Sequence, residues 1–147
     1  MRIRQIVICV LTSMLCLGIF CPREADAAQT PQEFVKEFYE WYLIEDYDFS
    51  DALKQDKLAE YVDEKLIEEL RQEEKCREMS YFTQMGQFFI GFKNAKVRVG
   101  DVLPMTDDVF VVPATITKES IEKIVIVYVH KKDGTFKIHS VSDAYPY

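Results

Sequence analysis

The strongest constraint on the fold lies near the C-terminal end of the chain, where two runs rich in β-branched residues flank Asp133-Gly134. The first run extends from Ile121 to His130 and the second from Thr135 to Val141. Asp-Gly between two such runs is the strongest short-range signal of a two-residue β-hairpin turn. The sequence therefore predicts a long terminal hairpin, which requires an antiparallel sheet.

The predicted turn also sets the pairing of the two strands. It places Lys132 opposite Thr135, His130 opposite Lys137, Tyr128 opposite His139, and Ile126 opposite Val141. Because side chains alternate between the two faces of a sheet, one face is almost wholly apolar, with Val125, Val127, Val129, Phe136 and Ile138. We expect the rest of the core to pack on that face. The opposite face is mixed, and its apolar members, which predict an interface for a partner or a second copy of the chain, are Ile124, Ile126, Tyr128 and Val141.

A helix is predicted to begin at Thr30-Pro31-Gln32-Glu33. Thr30 and Glu33 have the spacing of a capping box, and proline suits the first helical position. Phe34, Phe38, Trp41 and Tyr42 follow at helical spacing, which predicts one aromatic stripe facing the core. An alternative interpretation makes Tyr39 and Tyr42 the lining of a ligand pocket.

Further elements follow along the chain. Asp63 can cap a second amphipathic helix, whose apolar positions are Leu66, Ile67 and Leu70. The residues from Ala95 onward alternate as strands do, and a strand is predicted from Val109 to Thr117. Pro113 lies inside that strand, which favours an edge position or a bulge. The sequence thus predicts an α+β fold in which N-terminal helices pack on a curved antiparallel sheet.

The first 27 residues have the organisation of a secretory signal peptide. Arg2 and Arg4 precede a short apolar run that ends at Phe20, and Ala25 and Ala27 form the cleavage site. We therefore expect residues 28–147 to form a single periplasmic or secreted domain, without stable membrane insertion after cleavage. A lipid anchor is disfavoured because no cysteine in this segment follows the small residues that lipidation requires.

Net charge and cysteine content restrict the classes of molecule that this protein could bind. Removing residues 1–27 leaves 15 basic and 23 acidic side chains, a net charge of −8. This surface repels nucleic acid, whereas it leaves a cationic protein open as a partner. Cys76 would be the one remaining cysteine, which is buried, cross-linked to another chain or reactive, with burial as the default.

No catalytic, cofactor or metal motif stands out. A calcium loop starting at Asp46 fails, because Asp51 replaces the required glycine and Lys57 the required glutamate. His130 and His139 become diagonal neighbours in the predicted hairpin, about 7–8 Å apart at Cβ. Two ligands do not make a metal site, and no carboxylate of either strand lies between them, so we interpret both as exposed strand histidines. We expect a non-enzymatic protein without a cofactor.

Two features resemble the nuclear-transport-factor-2-like superfamily. They are the aromatic first helix, with Phe38-Tyr39-Glu40-Trp41-Tyr42, and the hairpin close formed by Gly134, Phe136, Lys137, Ile138 and Val141. Within that superfamily the chain resembles an exported bacterial group of unknown function typified by YbjP-type lipoproteins. The resemblance implies a cone-shaped α+β roll and a habit of homodimerisation. Some members are enzymes, such as ketosteroid isomerase, and many are binding modules, but no catalytic set matches this sequence.

Three hypotheses for function follow. The first is an exported, non-enzymatic binding module that uses the mixed sheet face for a protein partner or for a homodimer. A sharper version is a periplasmic immunity protein whose negative charge attracts a basic secreted toxin. The third is a small-molecule enzyme or carrier with a cavity between helices and sheet, lined by Tyr39, Tyr42 and a buried acid.

Overall fold

The computed structural model describes residues 29–44, 49–73, 79–86 and 93–144 of the 147-residue chain. The predicted signal peptide with Ala25 and Ala27, residue Cys76 and the first part of the calcium-like loop lie outside the described residues. Among the residues described, no helix is long and apolar enough to cross a membrane.

Within the described residues, the helices before the main sheet are α1 (Pro31–Ile44), α2 (Phe49–Ala52), α3 (Leu58–Tyr61) and α4 (Glu64–Glu73). The predicted capping box is confirmed. The Thr30 amide donates to Glu33 Oε2 at 2.8 Å, and the Glu33 amide donates to Thr30 Oγ1 at 3.2 Å. Asp63 caps α4 as predicted, since its Oδ1 accepts the Lys65 amide at 3.0 Å. Both helices thus begin where the capping residues indicate.

The strands are β1 (Met79–Ser80), β2 (Met85–Gly86), β3 (Lys96–Val99), β4 (Leu103–Pro104), β5 (Val109–Lys118), β6 (Ile121–Lys132) and β7 (Thr135–Asp143). The first two form a small hairpin of their own. The other five form an antiparallel sheet in the order β3-β5-β6-β7, with β4 also pairing with β5. The fold is α+β, with helices packed on a curved antiparallel sheet, as the sequence predicts.

The core lies between α1 and the inner face of this sheet. The predicted valine row on β6 is confirmed, because Val125, Val127 and Val129 are all fully buried. The buried residues of the helices and of the sheet form one continuous cluster. Beyond the valine row, Lys123 and Asp143 pair as ions at the end of the inner face.

The terminal hairpin departs from its predicted register after four residue pairs. Asp133 and Gly134 have φ angles of 52° and 81°, as a two-residue turn requires, and His130 pairs with Lys137 as predicted. A β-bulge then shifts the pairing, so that Tyr128 lies opposite Ser140 and no longer opposite His139.

The bulge overturns one predicted interface residue. Val141 pairs with Val127 and not with Ile126, which places it on the inner face with only 5% exposure. Its assignment to the mixed face was wrong, because one extra residue in a strand reverses the side on which every later side chain lies.

Pro113 lies in an internal strand, not at an edge, since β5 pairs with β6 on one side and with β3 and β4 on the other. The irregularity that its missing amide requires lies in the neighbouring strands of the sheet. Pro113 faces the break between β3 and β4, where its carbonyl accepts the Gly100 amide at 2.8 Å. The missing proline amide therefore falls where β5 has no ladder partner in either β3 or β4.

Candidate functional site

The sheet face turned away from α1 is here called the outer face, and its centre is apolar. Leu103, Val111 and Tyr128 form one row of directly paired residues across three strands, and Pro113 and Ile126 form the next row. Ile124 follows, opposite Thr115. Three of the four predicted interface residues, Ile124, Ile126 and Tyr128, therefore lie on this face, where they are half-buried.

One end of the outer face continues into the segment from Asp101 to Asp108, called the β4 loop. Leu103 and Met105 are 60% and 65% exposed, the highest values among the large apolar side chains that the structure describes. Asp101, Asp107 and Asp108 are exposed beside them. Two apolar side chains held in water between acidic groups are typical of a protein-binding surface.

The β4 loop is held in place by its own hydrogen bonds. The Met105 amide donates to the Val109 carbonyl at 2.8 Å, and Thr106 Oγ1 accepts the Val109 amide at 3.0 Å. The Lys131 amide donates to the Asp108 carbonyl at 2.7 Å, which ties the loop to β6. The exposed side chains are thus presented on an ordered backbone, which lowers the entropy lost when a partner binds.

Charge is divided between regions of the surface. At the far end of the outer face, Lys96 and Arg98 are exposed opposite Thr117 and Thr115. The helical layer presents the exposed acidic side chains of Glu33, Glu37, Glu40, Glu64, Glu68 and Glu69. Exposed negative charge therefore lies on the helices, on the β4 loop and, at Glu122 opposite Thr117, at the Lys96 end of the outer face.

A cluster of three side chains lies where the terminal hairpin meets α4. His130 Nε2 is 3.3 Å from Asp63 Oδ2, and the rings of His130 and His139 stack with centroids 5.7 Å apart. One ligand atom from each of these residues lies within 4.8 Å of the other two. The bulge leaves His139 on the same side as His130, so the two rings meet although their predicted register is wrong.

The chain segment around Asp63 covers the free edge of β7. Val62 forms a parallel bridge with Ile138, and the Asp63 amide donates to the Ile138 carbonyl at 3.0 Å. Further along, Tyr81 Oη accepts the Val141 amide at 3.1 Å. These contacts pair backbone groups of an edge strand, which protects it from pairing with another chain.

The two tyrosines predicted to line a pocket are packed in the core. Tyr39 is fully buried and its hydroxyl donates to the Phe82 carbonyl at 2.7 Å. Tyr42 is 5% exposed, with its hydroxyl 3.1 Å from Ser80 Oγ. Burial raises the pKa of Tyr39 well above its ordinary value, and the neighbouring Tyr42 and Tyr81 raise it further. Apart from the tyrosine hydroxyls, the buried set among the residues described contains one polar side chain, Thr83, and no carboxylate.

Sequence reasoning missed two parts of this surface. Asp63 was assigned only as a helix cap, because nothing local indicates that it meets residues about 70 positions later. Leu103 and Met105 were not assigned at all. Their spacing between acidic residues in a segment without strand periodicity is a signal that could have found them.

No family model matches the chain, and no curated protein matches it. A search of solved structures matches one chain of the crystal structure of the type VI native effector-immunity complex Tae3-Tai3 from Ralstonia pickettii. The match has a TM-score of 0.65 and 22% identity, and it covers 80% of this chain and 98% of that chain. At this identity the likeness concerns the fold.

Proposed function

We propose that this protein is an immunity protein, a non-catalytic domain of the cell envelope that binds a protein effector and blocks it. The likeness to a chain of an effector-immunity complex carries the proposal, because it extends over nearly the whole of that chain. Fold alone does not determine function. Three properties of this protein support the proposal independently.

The first supporting property is the predicted export signal in residues 1–27. A signal peptide sends the chain into the envelope of the cell that makes it. A protein that protects its own cell from an effector acting there has to be in that compartment. The export signal thus favours the immunity role over the effector role.

The second property is the surface at one end of the outer face. Leu103 and Met105 provide exposed apolar side chains, and Val111 and Tyr128 continue the apolar surface on the neighbouring strands. Tyrosine and methionine are enriched in protein interfaces, whose fully buried centres are more apolar than the rest of the surface. We infer that these four residues form the centre of the surface that contacts the effector.

The third property is charge. Asp101, Asp107 and Asp108 border this surface, so the effector is expected to be basic where it faces the β4 loop. Complementary charge of this kind speeds association and selects the partner. The other end of the face has mixed charge, with Lys96 and Arg98 beside Glu122, so the acidic end of the face is the β4 loop.

The test is binding to a toxin encoded beside the gene for this protein, measured by calorimetry with the purified pair. Leu103→Glu and Met105→Glu introduce a charge at the proposed contact. We expect each to weaken binding by about tenfold or more, as loss of a central apolar contact does. The matched control is Ile44→Glu, which alters an apolar side chain of similar exposure, 54%, on the helical layer.

One outcome would overturn the proposed function, and another would overturn the proposed contact surface. One is that neither the neighbouring toxin nor any toxin co-purifying with the protein binds it. The other is that Ile44→Glu weakens toxin binding as much as Leu103→Glu, which would move the contact away from the β4 loop. A dimer of the free protein that Tyr128→Glu dissociates would assign the outer face to self-association and not to a toxin.

The rival function is a small-molecule enzyme or carrier. It requires a polar cavity with a buried acid, whereas the described core contains no carboxylate and both candidate tyrosines have hydrogen-bond partners. The immunity role requires neither feature. The described residues therefore support binding at the surface better than chemistry in the interior.

A further inference from the structure

We propose that Asp63, His130 and His139 bind one divalent transition-metal ion, with Zn²⁺ as the ion the site suits best. The inference is independent of the proposed function. It rests on the meeting of three ligand-bearing side chains from two distant parts of the chain at the edge of the sheet.

The distances fit a metal centre. In a tetrahedral zinc site with bonds of about 2.0–2.2 Å, neighbouring ligand atoms are about 3.4 Å apart. His130 Nε2 and Asp63 Oδ2 are already 3.3 Å apart. The three ligand atoms lie within 4.8 Å of one another, and His139 is exposed, so rotation of its ring can close the remaining gap.

The carboxylate is positioned by contacts that leave one oxygen available. Asp63 Oδ1 accepts the Lys65 amide at the start of α4, which turns Oδ2 toward His130. The Asp63 amide is bonded to the carbonyl of Ile138, the residue before His139. Hydrogen bonds of this kind orient metal ligands and raise metal affinity.

The ammonium group of the nearby Lys137 does not pair with the Asp63 carboxylate. Lys137 lies opposite His130 in the hairpin, but its ammonium donates to the carbonyls of Ala59 and Glu60 at the end of α3. Within the described residues, the side chain that meets the Asp63 carboxylate is the His130 imidazole. The Asp63 charge is therefore available to a metal ion.

The ligand set selects the class of metal. Imidazole nitrogens favour zinc, copper, nickel and iron, whereas magnesium and calcium prefer sites made of oxygen alone. Three protein ligands leave a fourth tetrahedral position, which water can fill at this solvent-accessible edge. The ion would join the start of α4 to the terminal hairpin and so stabilise the folded chain.

The experiment is a zinc titration of tag-free protein with alkylated cysteines, followed by NMR of the imidazole nitrogens. The chain contains two histidines, so the spectrum of His139→Ala assigns the resonances of both imidazoles. We expect both imidazoles to shift together, with saturation at one equivalent, and the melting temperature to rise with Zn²⁺ but not with Mg²⁺.

Variants separate a metal site from a simple histidine-carboxylate contact. His139→Ala removes an exposed ligand, and Asp63→Asn removes the carboxylate while asparagine still caps the helix. We expect each to weaken zinc binding by about tenfold or more. Asp107→Asn, an exposed aspartate elsewhere, is the control and should leave zinc affinity unchanged. The proposal is wrong if zinc moves neither imidazole or only one of them, or if His139→Ala binds zinc as tightly as the wild type.

Discussion

Replacing Tyr39 by phenylalanine tests whether this side chain serves the core or a pocket. The substitution removes one hydroxyl and keeps the ring. That hydroxyl donates to the Phe82 carbonyl at 2.7 Å, and both residues are fully buried. The substitution therefore removes one hydrogen bond at a buried place in the core.

The expected loss follows from this burial. Removing one partner of a buried hydrogen bond costs about 1–3 kcal/mol, so we expect Tyr39→Phe to lower the free energy of unfolding by about 2 kcal/mol. For a domain of this size that corresponds to a fall in melting temperature of roughly 6–12 °C. Guanidinium denaturation should show a lower midpoint with an unchanged slope.

The matched control is Tyr42→Phe, the same chemical change on the same helix. Its hydroxyl pairs with the Ser80 hydroxyl in a partly buried position, where water can replace the lost partner. We expect a loss below about 1 kcal/mol. If Tyr39→Phe unfolds at the same denaturant concentration as the wild type, the hydroxyl faces solvent or an open cavity, and the core assignment is refuted.

The same variant predicts a pH dependence. The pKa of Tyr39 is raised in the folded state, chiefly by burial, so the stability that its neutral form contributes is complete below the unfolded pKa of about 10. That stability is lost as the pH rises from there toward the folded pKa. Alkaline unfolding should therefore be less steep in Tyr39→Phe than in the wild type, and identical slopes would contradict the assignment.

Two further substitutions test the sheet. Val141→Ala deletes two buried methyl groups, so we expect a loss of about 1.5–2.5 kcal/mol in chemical denaturation, against a smaller loss for Ile126→Ala on the half-buried outer face. A larger loss for Ile126→Ala than for Val141→Ala would contradict the bulge and support the register predicted without it. Gly100→Ala would place its Cβ 2.9 Å from Pro113 Cγ, so we expect a loss of about 1–3 kcal/mol. In a double-mutant cycle, Pro113→Ala should remove most of that loss, and simple additivity of the two would argue against the clash.

The predictions that succeeded rest on interactions within a few residues. The Thr30–Glu33 capping box and the Asp133-Gly134 turn each depend on atoms close together in the sequence, and the structure confirms both. Alternation along β6 also placed Val125, Val127 and Val129 correctly, because strand geometry forces every second side chain onto one face.

The predictions that failed depend on the rest of the chain. Nothing between Phe136 and Val141 indicates a bulge, and the structure places it where the Asp63 amide bonds the edge of β7 beside His139. Pro113 was expected at an edge or a bulge, but it lies in an internal strand. The sequence of β5 does not reveal that the neighbouring strands β3 and β4 break beside the proline. The membership of the nuclear-transport-factor-2-like superfamily stays a prediction.

By itself, the sequence determined the helices α1 and α4, the long strands β5, β6 and β7, the positions of the first helix start and the last turn, and the buried face of β6. These depend on backbone sterics, capping and side-chain periodicity, which act locally. Only the tertiary structure decided that Val141 faces inward, that Leu103 and Met105 project into solvent, and that Asp63 meets the two histidines. Those outcomes require residues far apart in the chain to pack together, and the contacts that select them exist only once the sheet and helices have assembled.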